Sequence, residues 1–455
     1  MRINVEIVKT ILLLFLVALS ILLTLGIWTY QGDYESSSSE LIAEDAQLNG
    51  TGQTKKELIQ PSQVLVHHYG ETTGFSDKQE EVEVFQDISD WSLYDFMTIS
   101  TDNMEDADDM EHTIELIFPT SIPASMISEL FTTDDIPSMT SKFDRVYIYI
   151  DNEMSNPKVV FKSNDRDGVN IQASVQNTTR VMDYFSRMQL VNEFIPYKKV
   201  EVAGDRTIYI PNEINIEGKK YRYEGIPDDS TNFKNIFFRN PTTVASSPTY
   251  DGGRVYSDGQ REVTIKGYAM EYIDFSASEE NSQESISLTE PLSDFLITNS
   301  IEYVNRHNGW LVDEDLRYRL YNVSEFSREA EYRMLYHNFP VFSREGLSTI
   351  MVTYQNQMEY QYNRPLMQLT FSYDRASDIL MNGDELLEYI EQTDRFSLDK
   401  IVDIQLGYRI EEQAGGQAFD LIPTWCIETN NSWQYVTSED YTATQGGESD
   451  AMGTN

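Results

Sequence analysis

The sequence predicts an α+β protein: an N-terminal transmembrane helix followed by a three-domain extracytoplasmic region of antiparallel sheets with packed helices, the last two domains similar to each other. Three observations lead there. The chain has 455 residues, more than one ordinary hydrophobic core holds, and at roughly 100–200 residues per domain it divides into several units. Aromatic residues make up 12% of it, and short runs rich in β-branched and aromatic side chains recur between turn signals, which is the material of sheets. One stretch near the N-terminus is long, apolar and uncharged.

That stretch runs from Ile11 to Trp28 and is interrupted only by Ser20, Thr24 and Gly26. At about 1.5 Å per residue it spans a hydrocarbon core once Thr10, Thr29 and Tyr30 are counted. Residues 10–30 therefore read as a single-pass transmembrane helix and 1–9 as a cytoplasmic N-terminus. Arg2 and Lys9 precede the helix while Asp33 and Glu35 follow it, which puts the C-terminal region outside the cell membrane. The segment Leu25 to Tyr30 is too bulky for a signal-peptidase site and no cysteine follows for lipidation, so the anchor is expected to remain. Ser20 and Thr24 share a helix face with Leu13, Val17 and Ile27. This stripe is the expected transmembrane contact with a partner helix; the competing reading has both hydroxyls bonding back to their own helix carbonyls.

Residues 31–60 are rich in Ser, Glu, Gly, Thr and Gln, lack apolar periodicity and read as a flexible linker. An N-terminal α+β domain is expected over 61–198, with strands near 63–69, 113–118, 145–150 and 158–162, a short helix over 91–99 and a longer one over 175–190. In that longer helix Val181, Met182, Phe185 and Met188 fall on one face. A central α+β domain, 199–312, opens with a strand near 207–210 and continues through strands near 219–224, 254–257, 261–266 and 268–275. An acidic insertion at 276–287 follows, then a helix announced by Thr289 and Pro291 and closed by Asn308-Gly309. A C-terminal α+β domain, 313–437, repeats this grammar with strands near 315–323, 331–336, 349–354, 357–362 and 367–373, a helix over 384–392, and strands over 401–408 and 418–428. Residues 438–455 read as a disordered tail. Met270-Glu271-Tyr272 and Met358-Glu359-Tyr360 each precede a helix carrying a Glu-Tyr pair, an echo that suggests duplication.

The net charge of −41 excludes nucleic acid as a partner. His67, His68, His112, His307 and His337 lack the spacing that presents two imidazoles to one metal, and adjacent His67 and His68 point to opposite faces of a strand. The acidic runs 102–111 and 164–168 lack the order of a calcium loop and read as solvated turns. Neither a nucleophile elbow nor a phosphate-binding glycine loop is present, and the lone Cys426, between Trp425 and Ile427, reads as a small buried residue. Hence no catalytic, cofactor-binding or metal residues are assigned, and the protein is not expected to be an enzyme.

Several fold markers occur in order along the chain: His112–Pro119 (HTIELIFP), the Tyr256–Arg261 turn, Asn308-Gly309-Trp310, Phe339-Pro340-Val341-Phe342, Tyr362–Leu366 (YNRPL), Leu406-Gly407-Tyr408 and Pro423-Thr424-Trp425. With the N-terminal helix they make the chain resemble the YycH (WalH) family, regulators of the WalK sensor histidine kinase of the WalK–WalR (YycG/YycF) system that controls cell-wall metabolism. The resemblance implies a three-domain ectodomain, contact of the membrane helix with WalK and with a YycI-like membrane protein, and negative regulation of the kinase. The alternative expectation is an extracytoplasmic cell-wall or polymer-binding protein without catalytic activity.

Overall fold

The computed structural model describes residues 9, 13–17, 19–20, 48, 50–99, 112–133, 141–150, 157–163, 169–176, 178–191, 193–225, 230–278, 291–374, 380–413, 418–429, 432–437 and 440. Two compact units divide the chain, Met1–Glu44 and Asp45–Asn455. In the first, residues 13–17 and 19–20 are helical and exposed. No helix among the described residues is long and apolar enough to cross a membrane, and most of the span expected from Ile11 to Trp28 lies outside them. The acidic runs 102–111 and 164–168 and most of the insertion 276–287 also lie outside the described residues.

The second unit is α+β and sheet-rich. Its first sheet holds β1 (Gln63–His68), β2 (Glu71–Phe75), β3 (Ser92–Ile99), β4 (His112–Pro123), β5 (Thr132–Thr133), β6 (Lys142–Ile150), β7 (Pro157–Lys162), β8 (Asn170–Val175), β9 (Phe194–Val202) and β10 (Arg206–Pro211). They are hydrogen-bonded in the order β10-β9-β2-β1-β4-β6-β7-β8-β3-β5. The helices α1 (Lys55–Leu58), α2 (Lys78–Ser89), α3 (Ile127–Leu130) and α4 (Thr178–Val191) accompany it.

The second sheet takes β11 (Lys219–Gly225), β12 (Ala245–Pro248), β13 (Arg254–Ser257), β14 (Arg261–Lys266), β15 (Ala269–Asp274), β16 (Leu316–Ser324), β17 (Glu329–Tyr336), β18 (Phe339–Phe342), β19 (Thr349–Gln355), β20 (Met358–Pro365), β21 (Met367–Asp374), β22 (Ile401–Glu412), β23 (Ala418–Thr429) and β24 (Ser432–Val436). Helices α5 (Ser230–Phe237), α6 (Leu292–Arg306) and α7 (Gly383–Gln392) belong with it. Strand β15 pairs antiparallel with β20, setting Tyr272 opposite Tyr362, so the two strands that carry the Met-Glu-Tyr echo lie side by side. Among the described residues pairing is antiparallel except for β3–β5 and β18–β22.

Sequence chemistry explains the elements. Thr113 to Phe118 of β4 are buried without alternation, as expected of a strand covered on both faces, whereas β19 alternates and buries Ile350, Val352 and Tyr354. Three hairpins turn on two-residue loops with positive φ at both positions: Tyr69-Gly70, His337-Asn338 and Asn356-Gln357.

Four expectations are corrected. Residues 92–99 form strand β3 and no helix; Leu93, Tyr94, Phe96, Thr98 and Ile99 favour a pleated surface, and β8 supplies the partner. The helix lies just upstream as α2, capped by Asp77, whose carboxylate accepts from the Gln79 amide, with Val82, Phe85 and Ile88 on its buried side. The expected opening strand of the central domain, β10, instead extends the first sheet through β9. The linker reading also fails at its C-terminal end. Leu48 is buried, Thr51 bridges to Trp310, Thr54 and Glu57 form a capping box on α1, and Leu58 and Ile59 enter the core. Beyond β24, Asp440 accepts from the Thr437 amide and pairs with Arg395, so the tail is pinned at that residue.

The two sheets share a core. Val200, Val202, Ile208 and Ile210 from β9 and β10 pack with Leu386, Tyr389 and Ile390 of α7 and with Ile401, Ile404, Trp425 and Ile427.

Candidate functional site

Of the stripe expected to contact a partner in the membrane, Leu13, Val17 and Ser20 are described and helical, with Leu13 64% and Val17 51% exposed. Thr24 and Ile27 lie outside the described residues.

In the larger unit, polar chemistry concentrates where the first sheet faces the second. Glu115 points from β4 into a closed setting. His67 Nε2 lies 2.7 Å from its Oε2, while Arg145 Nη1 at 2.5 Å and the Tyr147 hydroxyl at 2.9 Å donate to its Oε1. Burial alone would raise its pKa, but the hydrogen bond from His67, the charges of Arg145 and His67 and the Tyr147 hydroxyl outweigh it and hold the carboxyl at about 2. Arg145 also donates to the Thr207 carbonyl, which ties β6 to β10.

Beside this cluster opens a narrow cleft with a cavity volume of about 70 Å³. One wall is Phe75, Ile117 and Ile195 of the first sheet; the other is Phe339 and Pro340 of β18 with Ile404 and Leu406 of β22. A neighbouring recess shares Ser76, Lys78, Asn215, Asn338 and Phe339 with it. Four cations line the cleft, Lys78, Arg145, Arg206 and Arg319, against the carboxylates Glu213 and Asp403. In a chain with 75 acidic and 34 basic residues this inverts the prevailing balance.

The cations differ in how far they are satisfied. Lys78 donates to Glu81 at 2.6 Å and to the Tyr197 hydroxyl at 3.2 Å. Arg319 is 5% exposed and donates from Nη1 to the Pro61 carbonyl at 3.0 Å, but its Nε has no partner. Its burial lowers its pKa to about 10 despite the nearby charge of Glu81. Arg206 Nε is likewise buried without a partner. Gln405 donates to Asp403 at 2.7 Å while its own Oε1 is buried and accepts nothing.

The sequence could not assemble this cleft, because Lys78, Arg145, Arg206, Arg319 and Gln405 lie in five separate elements with no shared spacing. Nor could it pair His68 with His112. Register β1–β4 sets them opposite each other, and their Nδ1 atoms lie 2.8 Å apart. Among the described residues no group of three or more His, Cys, Asp or Glu is placed to hold a metal. Cys426 is fully buried, as expected, packs with Phe342, Tyr435 and Trp433, and has its thiol pKa pushed well up by burial.

Two family models match the chain: YycH protein, N-terminal domain, over residues 6–190, and YycH protein, C-terminal domain, over residues 205–446. The chain belongs to the YycH family. It is 22% identical over 457 residues to the "Two-component system WalR/WalK regulatory protein YycH" of Bacillus subtilis (strain 168), covering 95% of this chain and 97% of that protein. The crystal structure of YycH from Bacillus subtilis matches with a TM-score of 0.66 at 18% identity, over 86% of this chain and all of that one. That likeness is one of fold. The family boundary between residues 190 and 205 falls within the β9–β10 hairpin, the element that joins the two sheets in a common core.

Proposed function

We propose that this YycH-family chain is a membrane-anchored, extracytoplasmic regulator of a WalK-type sensor histidine kinase in control of cell-wall metabolism, acting negatively and together with a YycI-like protein. The observation that carries this reading is the match to a two-component regulatory protein over 95% of the chain, with both family models in order. A regulatory relative also fits a role without catalysis. The anchor is the segment from Ile11 to Trp28, N-terminus inside, and its contact face is Leu13, Val17, Ser20, Thr24 and Ile27. A coupling of about 1–3 kcal/mol between anchor and kinase is enough to shift kinase activity 5–150-fold. A limit at 312/313 between related central and C-terminal domains belongs to the same proposal.

The test is co-purification from mild detergent with the host's WalK-type kinase and YycI-like protein, using the intact chain and one whose anchor is replaced by an unrelated membrane helix. Capture by the native anchor alone is expected, and Ser20→Leu with Thr24→Leu should reduce it and raise kinase output. Equal capture by both anchors would move the contact to the ectodomain. No capture, with retention on wall polymer, would favour the polymer-binding alternative.

A further inference from the structure

We infer that His68 and His112, with Glu71 as a third ligand, form a site for a late first-row divalent transition metal, Cu²⁺ being the tightest occupant. The geometry of the two imidazoles carries this. His68 ends β1 and His112 opens β4; the register sets them directly opposite each other on one face of the sheet, with their Nδ1 atoms 2.8 Å apart. At metal–nitrogen distances of about 2.0 Å, two cis nitrogens of a square or octahedral centre stand about 2.8 Å apart, and two of a tetrahedral centre about 3.3 Å. The ring centroids supply a second measure, at 4.5 Å. A straight nitrogen-to-nitrogen hydrogen bond would put them about 5.1 Å apart, whereas two imidazoles meeting at a right angle on one ion would put them about 4.5 Å apart. The pair is thus bent as cis ligands are.

The sheet holds the pair in place. Strand β1 is hydrogen-bonded between β2 and β4, and His67, next in the chain, points to the other face, where its Nε2 lies 2.7 Å from Glu115. Tyr69, at the tip of the β1–β2 hairpin, packs edge-on against both rings, 4.5 Å from His68 and 5.8 Å from His112. Glu71 stands opposite His68 on β2, so Glu71, His68 and His112 make one row across three neighbouring strands. As the side chains stand, no third ligand joins the two imidazoles among the described residues. Glu71 is exposed, however, and from a Cβ about 5 Å away across the strands its carboxylate can rotate onto an ion. Water completes the shell.

The donor set chooses the metal. Two imidazoles suit Cu, Ni and Zn, while Mg²⁺ and Ca²⁺ prefer oxygen alone. The 2.8 Å spacing matches the square or tetragonal centres of Cu²⁺ and Ni²⁺; tetrahedral Zn²⁺ would part the nitrogens by about 0.5 Å, and the general affinity order places Cu²⁺ first. A net charge of −41 gathers divalent cations at the surface. One imidazole nitrogen of the pair carries the proton of their hydrogen bond; the ion takes the place of that proton, which leaves to solvent, and cross-links β1 to β4.

The experiment uses the untagged full chain in detergent, stripped with chelator, and titrates Cu²⁺, Ni²⁺, Zn²⁺ and Mg²⁺ by calorimetry, with electron paramagnetic resonance of the Cu²⁺ form. Cu²⁺ should bind most tightly and one-to-one, Mg²⁺ should give no saturable heat, and the resonance spectrum should show coupling to two imidazole nitrogens. His68→Gln and His112→Gln should each weaken Cu²⁺ binding at least tenfold and leave coupling to at most one imidazole. Glu71→Gln should weaken it severalfold, and His337→Gln, at an exposed histidine on the β17–β18 turn, should leave it unchanged. Near-ultraviolet circular dichroism checks each variant, and the parent's spectrum carries the test if a histidine variant does not fold. A parent spectrum without two imidazole nitrogens, or Cu²⁺ bound as tightly after both His68→Gln and His112→Gln, would overturn the site; affinity unchanged in Glu71→Gln would strike Glu71 from it.

Discussion

Glu115 occupies a strand covered on both faces, where a carboxylate persists only because three side chains converge on it. His67, Arg145 and Tyr147 hold the carboxyl at about 2, against an ordinary value of 4.5. The sign of the consequence follows. Above 4.5 the carboxylate is ionised whether the chain is folded or not, and its contribution is complete; as pH falls the unfolded chain takes up the proton first, and stability drains away until the folded carboxyl protonates near 2. A shift of that size corresponds to about 3 kcal/mol. Glu81 has the opposite sign, since burial pushes its carboxyl up, so the comparison must be between variants. Glu115→Gln should lose about 3–5 kcal/mol at neutral pH, because buried Arg145 then meets a neutral amide in place of its paired carboxylate and keeps only the charge of Asp144 nearby. Urea denaturation from pH 7 to pH 3 should show a flatter acid limb for the variant than for the parent. Parallel limbs would mean that the cluster is not what holds Glu115 ionised.

At the scale of elements, the segment from Leu48 to Ile59 shows what periodicity misses. Its composition reads as solvated chain, and the one local signal, the capping-box pattern Thr54-Lys55-Lys56-Glu57, announces only the four-residue α1. Yet the Leu48 amide donates to His307 at 2.8 Å and the Thr51 amide to Trp310 at 2.9 Å. Gly50 makes the approach possible, since a Cβ there would stand 2.2 Å from the Trp310 carbonyl oxygen. Gly50→Ala should therefore release this strip while leaving the sheets intact, seen as lost hydrogen-exchange protection at Leu48 and Thr51 alone. Gly52→Ala is the control, because its Cβ would meet only the Asn305 side chain at 3.6 Å; protection lost equally in both would locate the effect elsewhere. Elements with their own signal were legible: β4, β6, α6 and α7 lie within a few residues of where β-branched runs, an early proline and helical spacing put them. Strand β3 was not, because Trp91, Leu93 and Phe96 suit either period and only its partner β8 decides. The cleft was illegible for a related reason: its residues meet through tertiary register, which no local pattern encodes.

Across the whole molecule, the question is whether two sheets behave as one body. Residues of the β9–β10 hairpin are hydrogen-bonded into the first sheet but bury Val200, Val202, Ile208 and Ile210 against α7, Trp425 and Ile427 of the second. Either sheet alone would present that apolar face to water. Trp425 adds a fixed point, its indole donating to the Met381 carbonyl at 2.7 Å. The shared core also frames the cleft, because β10 and β22 supply both Arg206 and Gln405. Ile210 is fully buried there, and Ile210→Ala should cost about 2–5 kcal/mol through lost contacts and a residual cavity. If the body is cooperative, that loss appears as one denaturation transition shifted for every probe, with hydrogen-exchange protection reduced by the same amount in β4 and in β23. Protection reduced in the hairpin and α7 alone would show that the sheets open independently.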